Sequence, residues 1–588
     1  MKYAELAELY HVLESTSKRL VKTRAIAEML AKAPSLELPC LMLLLQGRIF
    51  PAWSEEKIGV AAKLVMKAIA LAVGRSPEDI EKDWKKTGDL GVTVQQLMGK
   101  KRQSTLFSES LSIEKVFNNI QKLATATGEG SVDRKVKLIA ELLTSATPLE
   151  AKYIVRSVLE DLRVGVGEAA LRDAIVWAFF GKQLHLKLNE EKLQLDFGES
   201  SREKYNEIVD IVQHAYDLNT DFAEVAKVAK EEGLEGLKKI GLRVGTPIQV
   251  MLFTKAADIK DAFEMVGSPA AIEYKYDGFR VQIHKDHDKV TVYTRRLENV
   301  TAQFNELKDI VLKHVKADEA ILDAEAVGMD AEHKKYLPFQ TVSQRIKRKY
   351  DIEKMAEKFP VEINVFDVLQ YNGKNLLAEP FGDRRAVLIK IIKPLGGKIV
   401  SAQQFVTSDL KQAEKFYKEA LGVGIEGVMV KSLTAPYQPG KRVGYGAKVK
   451  PTMENLDLVI VGAEWGTGKR AGWFSSFSLA CQDEDGNFLP IGKVGTGFNE
   501  KEDESEEGVT FDEMTRLLKP LILEEKGREV GVKPKIVIEV SYEEIQKSPS
   551  YSSGYALRFP RIVRLRDDKP VSEIASLKDV ELLFKQQK

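Results

Sequence analysis

The stretch Glu273-Tyr274-Lys275-Tyr276-Asp277-Gly278-Phe279-Arg280 places a lysine at the end of a β-leaning run, a turn-forming Asp-Gly pair just after it, and an arginine five positions on. A lysine acts as a nucleophile only when its amine is uncharged, a state that neighbouring cations or desolvation favour by lowering its pKa. Attack on the α-phosphorus of a nucleotide gives a phosphoramidate, whose P–N bond is labile enough to pass the nucleotide on. Taken alone, the string also fits an ordinary turn with a surface lysine.

Moving outward, the chain changes character on both sides of this stretch. Upstream, to about residue 240, apolar residues follow a helical period. Over residues 56–73, Ile58, Ala61, Ala62, Val65, Ala68, Ile69 and Ala72 fall on one face. Thr147-Pro148-Leu149-Glu150 offers an N-cap hydroxyl, a first-turn proline and a capping-box glutamate ahead of the apolar run 153–162. The period breaks across residues 241–247, and beyond it stretches such as 290–293 and 362–366 alternate as strands do. After Lys450-Pro451, residues 456–463 and 535–542 read as strands between glycine-rich turns, as in a small β-barrel. The acidic run 502–507 reads as a solvated loop and residues 571–588 as a terminal helix.

Bulk composition agrees with several soluble domains. A chain of 588 residues exceeds one hydrophobic core, and the size prior gives roughly three to five units. With 44% hydrophobic and 30% charged residues it has neither a disordered nor a fibrous composition. Its apolar runs fall short of the roughly 18 residues a membrane span needs, and Met1-Lys2-Tyr3-Ala4-Glu5 lacks a signal-peptide core, so a cytoplasmic protein is expected. Cys40 and Cys481, with no CxxC pair, exclude a disulfide framework and a zinc ribbon. The 88 Lys and Arg residues balance 87 Asp and Glu, so attraction to a polyanion has to come from locally sorted charge. Lys100-Lys101-Arg102, Arg345-Ile346-Lys347-Arg348-Lys349 and the arginines from Arg558 to Arg566 are candidates, each of which also reads as a solvated face.

Further segments follow the lysine in order: Tyr293-Thr294-Arg295-Arg296, Leu322-Asp323-Ala324-Glu325-Ala326-Val327, Val365-Phe366-Asp367, Glu426-Gly427-Val428-Met429-Val430-Lys431, Lys448-Val449-Lys450, and Arg558-Phe559-Pro560-Arg561 running on to Asp568-Lys569. This ordered set resembles the collinear motifs of the covalent nucleotidyltransferase superfamily. With the helical first third and the form of the lysine motif, it is similar to the ATP-dependent DNA ligases of the archaeal and eukaryotic replicative type. Gly88-Asp89-Leu90-Gly91 and Leu162-Arg163-Val164-Gly165 resemble that family's DNA-binding region, and Thr246-Pro247-Ile248-Gln249-Val250-Met251-Leu252 resembles its lead into the catalytic core.

The resemblance implies a multi-domain α+β protein: an all-α DNA-binding domain (1–245), an α+β nucleotidyltransferase domain (246–451), and an OB-fold β-barrel with a C-terminal helix (452–588). It implies nick sealing in duplex DNA, serving replication, repair and recombination, with ATP and Mg²⁺ or another divalent cation. Lys275 would carry AMP, Glu273 would accept from the adenine amine, and Phe366 would stack on the base. Arg280 and Arg295 would contact ribose and phosphate, and Arg442 would lie at the nucleotide. Lys448 and Lys450, alternating along a strand, would neutralise the α-phosphate. Glu325 and Glu426 would offer metal ligands, with Glu325 also at the ribose. Arg558, Arg561, Arg564, Arg566, Asp567, Asp568 and Lys569 would close over ATP. Gln103, Leu106 and Phe107 resemble a peptide that plugs into a sliding clamp, and fit a loop anchored on its own domain equally well. A monomer that binds nicked double-stranded DNA, associates with the nucleoid and has no membrane partner is expected. One departure stands out: the family usually has a tryptophan before the paired lysines, where this chain has Tyr445-Gly446-Ala447-Lys448.

Overall fold

The computed structural model describes residues 1–99, 110–189, 191–198, 200–330, 335–337, 345, 352–451, 454–466, 470, 472–499 and 508–587. Gln103, Leu106 and Phe107, the basic runs 100–102 and 346–349, and the acidic run 502–507 lie outside the described residues. The chain divides into two compact units, Met1–Val449 and Lys450–Lys588.

The first unit opens with helices running from Tyr3–Ser15 to Gly233–Lys239, together with a short hairpin of Lys187–Asn189 and Gln194–Asp196. The Thr147 signal behaves as its chemistry dictates. Its hydroxyl accepts from the Glu150 amide, the Glu150 carboxylate accepts from the Thr147 amide at 2.7 Å, and the helix Pro148–Val158 follows. That helix is buried from Glu150 to Val158, so its polar residues need partners. Arg156 meets Asp89 at 2.8 Å and Glu14 at 3.1 Å, and Lys152 meets Glu14 at 2.7 Å. The helix expected over 56–73 starts later, at Ala62. Gly59 adopts a left-handed φ of +59°, and Lys135 Nζ donates to the carbonyls of Ile58 and Gly59 at 3.1 and 3.3 Å. Ile58 still reaches the core from this extended segment. The apolar period therefore marked burial at Ile58, Val65, Ala68, Ile69 and Ala72 but not at Ala61, which is exposed, and it did not mark the backbone.

Two sheets follow. One is ordered Lys374–Asn375, Val361–Tyr371, Glu319–Met329, Phe279–Asp286, Lys289–Thr294, with two short strands at its margins. The other is ordered Gln404–Thr407, Ala270–Lys275, Gly427–Ser432, Arg442–Val449, Leu252–Lys255. Each packs a face on an apolar core. A third cluster, Leu218, Ile248, Met251, Ile321, Leu369, Leu377 and Tyr437, joins the last long helix of the N-terminal region, Arg202–Asn219, to these sheets.

The second unit is β-rich. Its strands Leu456–Trp465 and Val537–Ser541 pair with each other and belong to a seven-stranded sheet, beside the hairpin of Glu544–Lys547 and Tyr555–Arg558. The terminal helix, Leu577–Gln586, is shorter than the expected 571–588 because Ser576 caps it with a reciprocal Asp579 bond.

The join between the helical region and the sheets contains a titrating group. Asp217 is 3% exposed, takes a hydrogen bond from Gln213 at 2.8 Å, and presses on Gly440, where an added Cβ would lie 2.6 Å from its Oδ1. Burial pushes its carboxyl up to about 7, partly offset by the Gln213 bond and by Lys441. Because this value lies above the ordinary carboxylate range, the fold favours protonated Asp217. That contribution is complete at low pH and is lost as the pH rises through about 7. Asp217→Asn keeps the acceptor without the charge. Its thermal midpoint, followed from about pH 5 to about pH 8, is expected to fall less steeply than the wild-type midpoint, by no more than about 1.4 kcal/mol per pH unit. Parallel curves would show that the group does not titrate there.

Candidate active site

Lys275 ends the strand Ala270–Lys275 and stands opposite Gly427 on the neighbouring strand. That register brings Glu426, the residue before Gly427, onto the lysine, and Nζ ion-pairs with Glu426 Oε2. The Asp-Gly turn then lays the chain on the other sheet. A Cβ at Gly278 would sit 2.5 Å from the Ala326 carbonyl and 3.1 Å from Glu325 Cγ, so only glycine allows this close approach. Arg280 consequently pairs in register with Glu325. Burial pushes the Glu325 carboxyl up to about 8; Asp323 and Glu426 add to the rise, and Lys275 and Arg280 oppose it. Lys275, Arg280, Glu325 and Glu426 thus form one charged cluster between the sheets.

Deeper in the cleft, Glu273 is 2% exposed and well supplied with donors. Lys431 Nζ lies 2.5 Å from one of its oxygens and Gln404 Nε2 2.9 Å from the other, with Arg385 Nη1 3.8 Å away. Phe366 faces this group from the opposite sheet. Lys431 Nζ lies 4.7 Å from its ring centre and the Arg280 guanidinium 5.4 Å. Arg280 is itself fixed: Nε and Nη2 reach the two oxygens of Asp323 at 3.0 and 2.7 Å, Nη1 the Met251 carbonyl at 2.8 Å, and Nη2 the Tyr437 hydroxyl at 3.2 Å.

The other expected residues fall in distinct places. Arg295 is exposed in the turn after Lys289–Thr294. Arg442 begins the strand Arg442–Val449, opposite Leu252, and Lys448 stands on that strand opposite Met429. Lys450 lies one residue beyond that strand. The strand ends at Val449, and Lys450 belongs to the second unit, with Nζ 3.3 Å from Glu543. In that unit Arg558 and Arg561 flank a turn at Phe559, whose φ is +49°. Arg558 pairs with Glu544, Arg564 with Glu539, Arg566 with both Asp457 and Asp568, and Lys569 with Asp457, while Arg561 and Asp567 are exposed. In the helical region the loops holding Asp89 and Arg163 meet, with Arg163 Nη1 3.3 Å from Asp89 Oδ2.

Sequence reasoning missed Arg385, Gln404 and Tyr437 as parts of the cleft, and quoted Asp323 and Lys431 without giving them a role. The last two sit inside motifs already singled out. Arg385 and Gln404 carry no local signal, because only the fold brings them to Glu273.

Comparison with known proteins covers the whole chain. Residues 2–176 match the family profile described as DNA ligase N terminus, 250–450 the ATP dependent DNA ligase domain, and 470–569 the ATP dependent DNA ligase C terminal region. The chain is 46% identical to the DNA ligase of Nanoarchaeum equitans over 100% of its own length and 99% of that protein. It is 45% identical to the DNA ligase of Thermococcus onnurineus over 99% and 98%, respectively. The DNA ligase of Archaeoglobus fulgidus is 41% identical over 100% of this chain and 99% of its own. A solved structure designated Pmar-Lig_Pre aligns with a TM-score of 0.53 at 17% identity, covering 95% of this chain and 99% of that one, a likeness of fold. With three ligase profiles in order and this identity over its full length, the chain belongs to the ATP-dependent DNA ligases.

Proposed function

We propose that this ligase closes nicks in duplex DNA by carrying AMP on Lys275. The observation that supports this most directly is the cluster of Lys275, Glu426, Glu325 and Arg280 at the mouth of a cleft whose depth holds Glu273 and Phe366. The lysine nitrogen attacks the α-phosphorus of ATP, a P–N bond forms and pyrophosphate leaves. The AMP then passes to the 5′-phosphate of a nick, and the 3′-hydroxyl displaces it as the phosphodiester forms. Such transfers depend on in-line placement and on cations at the phosphate oxygens. Glu273 reads the adenine amine and Phe366 carries the base. Arg280, Arg295, Arg442, Lys448 and Lys450 serve ribose and phosphate. The strand and turn from Arg558 to Lys569 serve the pyrophosphate.

Glu325 and Glu426 fit a divalent cation. They are hard oxygen donors beside Lys275, and the like charge of Glu426 adds to the upward push on the Glu325 carboxyl. A cation bound there would supply neutralisation of the phosphate oxygens. Arg163 and the Gly88–Leu90 turn serve the DNA backbone, and Gln103, Leu106 and Phe107 engage a sliding clamp. The protein acts as a monomer on nucleoid DNA.

The altered residue before the paired lysines has a local counterpart. A Cβ on Gly446 would lie 2.6 Å from the Phe253 ring, so Phe253 fills the space that a larger residue would take. Gly446→Trp alone is expected to lower ATP-dependent self-labelling by roughly 10-fold or more, as overpacking costs of about 1–3 kcal/mol imply. Adding Phe253→Ala should restore most of it; a double variant no better than the single one refutes the exchange.

Incubation with α-labelled ATP and Mg²⁺ should place the label on Lys275, and Lys275→Arg should carry none and seal no nicks from ATP. Label on another residue, or sealing by the variant, contradicts the mechanism. Arg163→Ala should leave self-labelling within about twofold of wild type while nick affinity falls about 10-fold and the salt slope by about one charge. Equal losses in both assays would place Arg163 outside DNA binding.

A further inference from the structure

The helix Phe381–Ile391 belongs to no nucleotide motif, yet three side chains from its first turns reach the base end of the cleft. Phe381 lies under Lys431, with Nζ 4.7 Å from its ring centre. Arg384, 1% exposed, forks onto both oxygens of Asp367 at 2.8 and 2.9 Å, fixing the residue next to Phe366. Arg385, 9% exposed, donates from Nη2 to the Ala402 carbonyl at 2.5 Å and turns Nη1 toward Glu273 at 3.8 Å.

That Nη1 is buried and makes no hydrogen bond. A buried guanidinium N–H without an acceptor is costly, and a fold retains such a group where its partner arrives later or moves. Here the partner is a carboxylate already close enough for charge attraction and just beyond bonding distance. Of its two oxygens, one takes Gln404 and the other Lys431. An exocyclic amine that donates to Glu273 has to share this carboxylate. A small rotation that admits the amine brings an oxygen onto Arg385.

We propose that Arg385 is a positioning residue for base selection: it closes on Glu273 when adenine binds and holds the carboxylate in the orientation that accepts from the 6-amino group. The helix as a whole then sets both halves of the base site, Arg384 through Asp367 for the stacking ring and Arg385 through Glu273 for the polar edge. This rests on Glu273 reading the adenine amine, as proposed above.

The test compares AMP with purine riboside 5′-monophosphate, which differs in lacking the 6-amino group. Binding of each to full-length protein, stripped of AMP with pyrophosphate, is measured by calorimetry. A site built around the amine favours AMP by about 10-fold or more in the wild type. Arg385→Met should bring that preference to within about twofold of unity, and Arg385→Lys, which keeps the charge without the fork, should hold an intermediate preference. A merely structural role weakens both ligands equally, so an Arg385→Met protein that keeps the wild-type preference overturns the proposal whatever its absolute affinity. Glu273→Ala separates the two claims. If Glu273→Ala keeps the preference, the reading of Glu273 fails and this inference falls with it. If Glu273→Ala loses the preference and Arg385→Met does not, only the role of Arg385 fails. Thermal unfolding of each variant confirms that the compared proteins are folded.

Discussion

Asp323 is fully buried, and its carboxylate holds the cleft together. It accepts a fork from Arg280 and a hydrogen bond from Tyr437 at 2.8 Å. Each of those partners bonds to Met251: Arg280 to its carbonyl, and Tyr437 by accepting from its amide at 3.1 Å. Three segments far apart in sequence are closed into a ring by one charge, and all three carry neighbours of the reacting groups. A buried pair of this kind adds little over a well-packed apolar replacement, but losing one partner leaves an uncompensated charge and costs about 3–5 kcal/mol. The ring therefore reads best as a device for geometry, fixing Arg280 under Phe366 and the Tyr437 loop ahead of Arg442.

The helical region shares this constraint. Leu218, near the end of the helix Arg202–Asn219, packs in the cluster that includes Tyr437 and Met251, and Thr220 donates to the Pro247 carbonyl at 2.7 Å. The residue beside Leu218, Asp217, fits only because position 440 is glycine. The segment linking helices to sheets is thus clamped on both sides, which is why Met1–Val449 forms one compact unit although sequence pattern places a change of structure near residue 245. A change of periodicity marks where elements change type, and compactness depends on what packs across the change.

That distinction explains what the sequence made legible. Lys275, Glu426, Glu325 and Phe366 could be named in advance because each sits inside a short motif that resembles the family's, whereas spacing alone gave none of them a role. The capping box at Thr147 was legible directly, since its chemistry is complete within four residues. Ile58 was legible as core but not as coil, because burial leaves a period in the sequence whereas the left-handed turn at Gly59 and its Lys135 anchor do not. Lys450 was placed on a strand by alternation alone, and alternation does not say where pairing stops. Arg385, Gln404 and Phe253 had no signal, since their partners lie on other strands and helices. The chemistry was written in motifs and its support in tertiary contacts.

The pairing of charges in the cleft bears on how a chain of formal net charge +1 would handle a polyphosphate. The acids of the cleft enter already matched: Glu273 with Lys431, Asp323 with Arg280, Asp367 with Arg384, Glu426 with Lys275. Matched pairs leave little net field, so a nucleotide is not drawn in by bulk attraction. On the proposed reading of the site it would exchange partners, its amine for part of the hold on Glu273 and its phosphates for part of the hold on Lys275. Exchange in a low-dielectric cleft is favourable only when the incoming groups match the geometry of those displaced. On that reading, the arrangement that pairs the charges of the cleft would also discriminate among nucleotides, because only a ligand whose groups match those pairs could replace them.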